Sequence, residues 1–124
     1  MLSLKSVEYS VGEFKLKADF KIPRLSKVAL IGPSGAGKST LLSLISGFLK
    51  PNSGSIIIDN EDVTTKLSNQ RRVTTIFQDG NLFPHLTVKK NISLGLRPDL
   101  RLNSAQQSVL DYAIDRVGLT DLVD

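Results

Sequence analysis

The sequence predicts an α/β fold in which a short buried strand runs through a glycine loop into a helix, behind an antiparallel strand pair. Three observations carry that expectation. Lys27-Val28-Ala29-Leu30-Ile31 is a short apolar, β-branched run, the pattern of a strand covered on both faces. Gly32-Pro33-Ser34-Gly35-Ala36-Gly37-Lys38-Ser39-Thr40 follows directly, with glycines where the backbone must curl tightly. Leu41, Leu44, Ile45 and Phe48 then recur at i, i+3, i+4 and i+7, the apolar stripe of a helix.

The strand pair in front is read from alternation. Phe14, Leu16, Ala18, Phe20 and Ile22 fall on one face, and Lys15, Lys17, Asp19 and Lys21 on the other. Val11-Gly12-Glu13 turns the chain into this run from an earlier one, Leu2 to Tyr9. After the first helix, Lys50-Pro51-Asn52-Ser53-Gly54 is a stop and turn. Ser55 to Asp59 reads as a strand, and Asn60-Glu61-Asp62 as a polar turn. Leu67 to Arg72 reads as a short helical turn leading into a β-branched strand, Val73 to Phe77, with Gln78 at its end. Thr87 is a natural N-cap for a helix through Leu94, closed by Gly95 and Pro98. Asn103 or Ser104 caps the last clear helix, with Ala105, Val109, Ala113 and Val117 on one stripe, Leu110 and Ile114 beside it, and Gly118 past its end. Leu119 to Asp124 begins another element.

Composition narrows the function. The chain has 124 residues, 40% hydrophobic and 23% charged, the proportions of one ordinary globular domain or part of a larger one. Its net charge of +4 comes from scattered lysines and arginines, so the sequence argues for a solvated surface and against a nucleic-acid patch. Without cysteine there are no disulfides or thiolate metal sites, which suits a reducing compartment. No apolar run is long enough to span a bilayer, so membrane association is expected only through a partner.

The glycine loop carries the chemistry. Gly32 to Ser39 has the spacing G-x-x-x-x-G-K-[ST], in which successive backbone N–H groups converge on one anion. Lys38 is positioned to reach the β- and γ-phosphates of a nucleotide, and the Ser39 hydroxyl to ligate Mg²⁺. A Gly/Ser-rich turn with a chance lysine is the bland alternative, and the strand before and helix after the loop argue against it. Asp59, after three isoleucines, imitates an acidic metal-holding strand end. Its place directly after the loop's own helix, with turn residues on both sides, makes it a turn residue instead.

Three blocks in this order resemble the ATP-binding subunit of an ABC importer: the loop, Pro51 to Ile56, and Ile76-Phe77-Gln78 followed by Leu82 to Val88. The resemblance covers essentially the whole chain and implies a P-loop NTPase fold with an N-terminal antiparallel β part and an incomplete parallel core sheet with helices. Gly47-Phe48-Leu49 and Asn91 to Leu96 leading into Leu102-Asn103 are similar, more narrowly, to bacterial thiamine importer ATPases. The resemblance implies ATP and Mg²⁺ as ligands, held by Gly32, Pro33, Ser34, Gly35, Ala36, Gly37, Lys38, Ser39 and Thr40. Tyr9, 23 positions before Gly32, matches the residue that stacks on adenine; packing between strands is its structural alternative. Gln78 matches a glutamine that meets Mg²⁺ and the attacking water. Leu82 to Val88 matches the surface that docks on a transmembrane permease, although burial in a core would explain Phe83, Pro84 and Leu86 equally well. His85 is read as a docking-loop or structural residue, since the family's γ-phosphate histidine lies far downstream. The further partners implied are a second ATPase copy and, indirectly, a solute-binding protein, with the chain peripheral on the cytoplasmic face of the cell membrane.

The family pattern also holds a serine-glycine signature segment, an acidic strand, a catalytic glutamate and a switch histidine, and none occurs in these residues. The chain is therefore expected to be the N-terminal portion of a single domain, cut before the signature segment. The full parent is expected to couple ATP hydrolysis to thiamine uptake, or to uptake of another solute such as iron, polyamine or sulfate. A nucleotide-binding fragment without turnover is the alternative of a different class. A GTPase or small-molecule kinase leaves the Gln78 to Val88 block unexplained.

Overall fold

The computed structural model describes residues 1–77 and 80–122. They form two compact units, Met1–Thr75 and Ile76–Asp124. The first unit is built on a four-stranded antiparallel sheet and one helix. Its elements are β1 (Leu2–Val11), β2 (Phe14–Ile22), helix α1 (Lys38–Ser46), β3 (Ser53–Ile58) and the short β4 (Glu61–Asp62), with sheet order β2-β1-β3-β4.

The alternation read from the sequence sets the register. Val11 pairs with Phe14, Tyr9 with Leu16, Val7 with Ala18 and Leu2 with Ile22, which puts the apolar residues of β2 on one half-buried face. The pairing shifts between Leu4 and Val7, where Ser6 bulges with φ 46 and gives its N–H and hydroxyl to the Asp19 carboxylate at 2.8 and 3.0 Å. Gly54 on β3 is the complement of that bulge. It has φ +83, and a Cβ there would stand 2.3 Å from the Ser6 carbonyl oxygen. Leu4, Val7, Leu41, Leu44, Ile56 and Val63 close the core between the sheet and α1. Burying each such side chain is worth about 1.5–3 kcal/mol.

Two sequence expectations shift by a residue or two. The turn after β3 is Asp59-Asn60, both left-handed at φ 47 and 69, so Glu61 and Asp62 pair with Ile58 and Ile57 as β4 instead of forming the turn. The helical turn expected from Leu67 to Arg72 is a 3₁₀ turn over Ser68–Gln70. Arg71, directly after it, is buried and clips the end of α1. Its guanidinium donates to the carbonyl oxygens of Leu44 at 2.7 Å, Ile45 at 2.9 Å, Lys66 at 2.9 Å and Thr64 at 3.2 Å. Burial pushes the Arg71 pKa down from its ordinary value. The Ser46 and Thr75 hydroxyls, 2.8 Å apart, add a second tie.

Two segments read as strands are not strands among the described residues. Lys27 to Ile31 makes no described backbone hydrogen bond, and Val28, Leu30 and Ile31 are 63%, 45% and 91% exposed. Val73 to Phe77 likewise forms no ladder, and Ile76 and Phe77 are exposed. The physical reason is the same for both. A strand is a pairing, and no described strand lies beside either segment.

The second unit holds helix α2 (Val88–Ser93) and helix α3 (Ser104–Arg116). Thr87 caps α2, its hydroxyl accepting from the Lys90 N–H at 3.3 Å. Asn103, of the two candidates, caps α3, in a reciprocal box with Gln106 at 2.9 and 3.0 Å. The buried face of α3 carries Leu110 and Ile114, whereas the expected stripe of Ala105, Val109, Ala113 and Val117 faces outward. Small and β-branched side chains gave that stripe its period; the larger Leu and Ile bury more area and take the inside.

Candidate functional site

The glycine loop delivers a helix N-terminus with its donors free. Gly37 sits at the N-cap of α1 with φ 83 and no side-chain cap, so the N–H groups of Lys38, Ser39 and Thr40 have no intrahelical acceptor. Upstream, the Ala36 N–H turns back onto the Pro33 carbonyl at 3.3 Å, and Gly35 takes φ 79. Gly37 is glycine for a second reason: a Cβ there would lie 2.9 Å from Phe14 Cζ and 3.1 Å from Leu16 Cδ1. The face of β2 thus presses on the end of the loop and sets where α1 starts.

Lys38 Nζ folds over the loop and donates to the Gly32 carbonyl at 2.8 Å and the Pro33 carbonyl at 2.6 Å. An ammonium has three donors, so one remains for an incoming oxygen. Residues Gly32 to Ala36 and Ser39 are exposed, and Gly37, Lys38 and Thr40 are half-buried. Tyr9 is half-buried and packs against the core, opposite Leu16 in the β1–β2 register, and Leu16 is, with Phe14, one of the two residues that crowd Gly37. Tyr9 therefore stands one cross-strand pair from the loop. An uncapped helix N-terminus, a lysine over the loop and an exposed serine hydroxyl form a donor set suited to a polyphosphate and to one Mg²⁺ ligand.

Gln78 is outside the described residues. Among the described residues no group of three or more His, Cys, Asp or Glu could hold a metal ion. Asp59 is engaged by the N-terminal ammonium at 2.6 Å and by Arg24 at 3.4 Å, and that ammonium's hydrogen bond holds its carboxyl below the usual range. It is a turn residue, as its sequence context implied.

The segment Leu82 to Val88, in the second unit, projects its apolar side chains. Leu82 is 72% and Phe83 52% exposed and Pro84 is exposed, so core burial does not account for these three, whereas Leu86 is half-buried; Phe83 meets the His85 ring edge-on at 5.9 Å between centroids. Sequence reasoning missed what shapes this segment. Asn91 accepts the Phe83 N–H at 2.8 Å and donates its amide protons to the carbonyls of Phe83, Leu86 and Thr87 at 3.0–3.1 Å. Asn81 plays a similar part just upstream, accepting the Phe77 N–H at 2.8 Å and donating to the Phe77 carbonyl. Two side-chain amides thus stand in for backbone partners. A lone asparagine in a helix or loop gives no sequence signal for this; only its four-residue offset from the Thr87 cap hints at it.

The family model described as ABC transporter matches residues 16–124. The thiamine import ATP-binding protein ThiQ of Yersinia pestis is 45% identical over 124 residues, covering 100% of this chain and 52% of that protein. The protein of the same name from Shigella sonnei is 46% identical over 123 residues, covering 99% of this chain and 53% of its own length. The chain thus spans about half the length of the curated relatives it matches. Among solved structures, a dimeric ATP-binding cassette in a post-hydrolysis state bound to ADP and Pi superposes with TM-score 0.75 at 28% identity, over 99% of this chain and 60% of that one. A dimeric bacterial ABC transporter cassette gives TM-score 0.78 at 26% identity, over 100% of this chain and 60% of its own. The glycine loop, the helix it starts and the sheet that braces it all fall within those matches, and the chain belongs to the ABC transporter family.

Proposed function

We propose that the chain is the ATP-binding part of an importer ATPase and holds Mg-ATP on the Gly32 to Thr40 loop. One observation carries the reading: the uncapped N-terminus of α1 with Lys38 Nζ poised over the loop. The free N–H groups of Lys38, Ser39 and Thr40 cradle the β-phosphate, and the Lys38 ammonium exchanges its two carbonyl acceptors for phosphate oxygens. Ser39 and Gln78 are the residues that would hold Mg²⁺, which when bound neutralises charge between the β- and γ-phosphates. Gln78 orients the attacking water, and Tyr9 offers its ring to adenine.

The names of the relatives support thiamine as the solute of the whole protein, with iron, polyamine or sulfate importers as the neighbouring alternatives. The dimeric neighbours support a second ATPase copy completing the site. Leu82 to Val88 docks on a transmembrane permease at the cytoplasmic face of the membrane, with a solute-binding protein acting through that permease. By itself the 124-residue chain binds without turnover, because Gln78 is no base and Asp59, in the turn after β3, is held by the N-terminal ammonium and Arg24.

Titration of labelled ATP against the chain and its Lys38→Ala variant tests this. A charge-assisted contact worth about 1.5–3 kcal/mol predicts a loss of roughly 10- to 100-fold in affinity. Equal affinities refute the site. Mg²⁺-dependent phosphate release that disappears in the variant refutes the absence of turnover.

A further inference from the structure

Glycine visits left-handed and right-handed backbone about equally, so a glycine loop keeps one shape only when something outside it decides. Gly32 and Gly35 are left to the loop itself. A Cβ on Gly32 would meet only Ala36, at 3.5 Å, and one on Gly35 would meet nothing within 4 Å. Gly37 is walled in. It stands at φ +83 at the N-cap of α1 with no side-chain cap, and its carbonyl accepts the Leu41 N–H at 2.9 Å. The space beside it is filled from β2, with Phe14 Cζ and Cε2 at 2.9 and 3.4 Å from the Cβ position and Leu16 Cδ1 at 3.1 Å. These two side chains differ in what else they do. Leu16, Ala18 and Phe20, on the same face of β2, pack against the core, and Phe14 is not among the residues packed there. It is half-buried at the first position of β2, opposite the exposed Val11. A large ring thus sits outside the core and against the glycine that opens the helix.

We propose that Phe14 is a positioning residue for phosphate: its ring holds Gly37 left-handed, so that the N–H groups of Lys38, Ser39 and Thr40 stay converged on one anion before a ligand arrives. This role rests on the reading that the loop binds polyphosphate, and it adds a determinant that lies outside the loop. Phe14 acts through Gly37 and touches no ligand. Without the ring, Gly37 must be ordered by the ligand, and fixing the backbone of one residue is worth about 5- to 30-fold in an equilibrium constant.

The experiment titrates ATP and tripolyphosphate against the 124-residue chain and its Phe14→Ala and Phe14→Met variants by calorimetry. Phe14→Ala should weaken both ligands equally, by about 5- to 30-fold. Amide exchange at Leu41, which donates to Gly37, should quicken by a similar factor while the β1 amides keep their protection. Phe14→Met, with an unbranched side chain that fills irregular gaps, should restore affinity to within about 3-fold of the unaltered chain. A loss for ATP alone means that the ring touches the nucleoside, and it overturns the proposal. Loss of β1 protection in both variants makes Phe14 a folding residue only and overturns it too. If Lys38→Ala loses affinity while Phe14→Ala matches the unaltered chain, the loop reading stands and this role falls. If Lys38→Ala binds as tightly as the unaltered chain, the loop reading falls and this role with it.

Discussion

Replacing Arg71 by methionine asks what holds the phosphate-loop helix at its far end. Four carbonyl oxygens accept from this guanidinium, two of them, Leu44 and Ile45, in the last turn of α1. Hydrogen bonds from a charged donor are worth about 1.5–3 kcal/mol each, so an additive sum would exceed about 6 kcal/mol. Removing the guanidinium returns several kcal/mol of desolvation, and methionine refills most of the space of the aliphatic stem. The balance is a loss of about 3–4 kcal/mol, and about half that for Arg71→Lys, whose single nitrogen cannot span four acceptors. Urea denaturation followed by circular dichroism reads the loss as a lower midpoint at unchanged slope. A companion substitution sharpens the test. Gly47→Ala puts a Cβ 2.6 Å from Arg71 Nε and 3.0 Å from the Ser68 nitrogen, at a φ of +83. It costs about 1–2 kcal/mol for the left-handed backbone in either background. The clash with the guanidinium exists only when Arg71 is present. The double variant should therefore fall short of the summed single losses by about 1 kcal/mol or more. Strict additivity, or an Arg71→Met loss under about 1 kcal/mol, refutes the clip.

Tyr9→Ala should weaken ATP by about 1–2 kcal/mol and leave tripolyphosphate binding unchanged, with Tyr9→Phe restoring affinity; a parallel loss for tripolyphosphate would mean that Tyr9 only supports the sheet. Asn91→Ala should raise amide exchange at Phe83 by about 10-fold or more while α3 stays protected; an unchanged Phe83 amide would show that the loop holds its shape without the side chain. Asp62 accepts from the Thr64 hydroxyl at 2.5 Å and the Thr64 N–H at 2.9 Å, which lower its pKa below the ordinary Asp value. Its contribution to stability is complete above that ordinary value, near about 3.9, and is lost as the pH falls through the lowered folded value. A carboxyl-carbon titration with its midpoint at or above the ordinary value would overturn that assignment.

What the sequence discloses depends on how far away the cause lies. The β2 face, the start of α1 and the Asn103 cap are local patterns, and each appears where the periodicity or capping residue puts it. The loop was legible because its glycines answer to neighbouring backbone, although the contact of Phe14 with Gly37 belongs to the folded sheet and left no trace in spacing. Lys27 to Ile31 has the composition of a strand, but strandedness belongs to a pair, and composition names only one member. Ser6, Gly54 and Arg71 were illegible for a related reason. Their roles lie in contacts across long sequence separations, such as Arg71 to Leu44, which no short window contains.

The placement of β1 has a consequence for synthesis. It is an inner strand, paired on one side with β2 and on the other with β3, so that Leu2 meets both Ile22 and Ile58. On a ribosome the β1–β2 hairpin emerges before α1 and β3, and a hairpin closes in about 1–10 μs. At about 5–20 residues per second, the stretch separating Val11 from Ser53 takes roughly 2–8 s to follow. For that interval the nascent hairpin shows Leu4 and Val7 to solvent with neither β3 nor a completed α1 to cover them. The lysines at 15, 17 and 21 on its opposite face are then what keeps the waiting hairpin in solution. Their charge matters most before the protein exists as a fold.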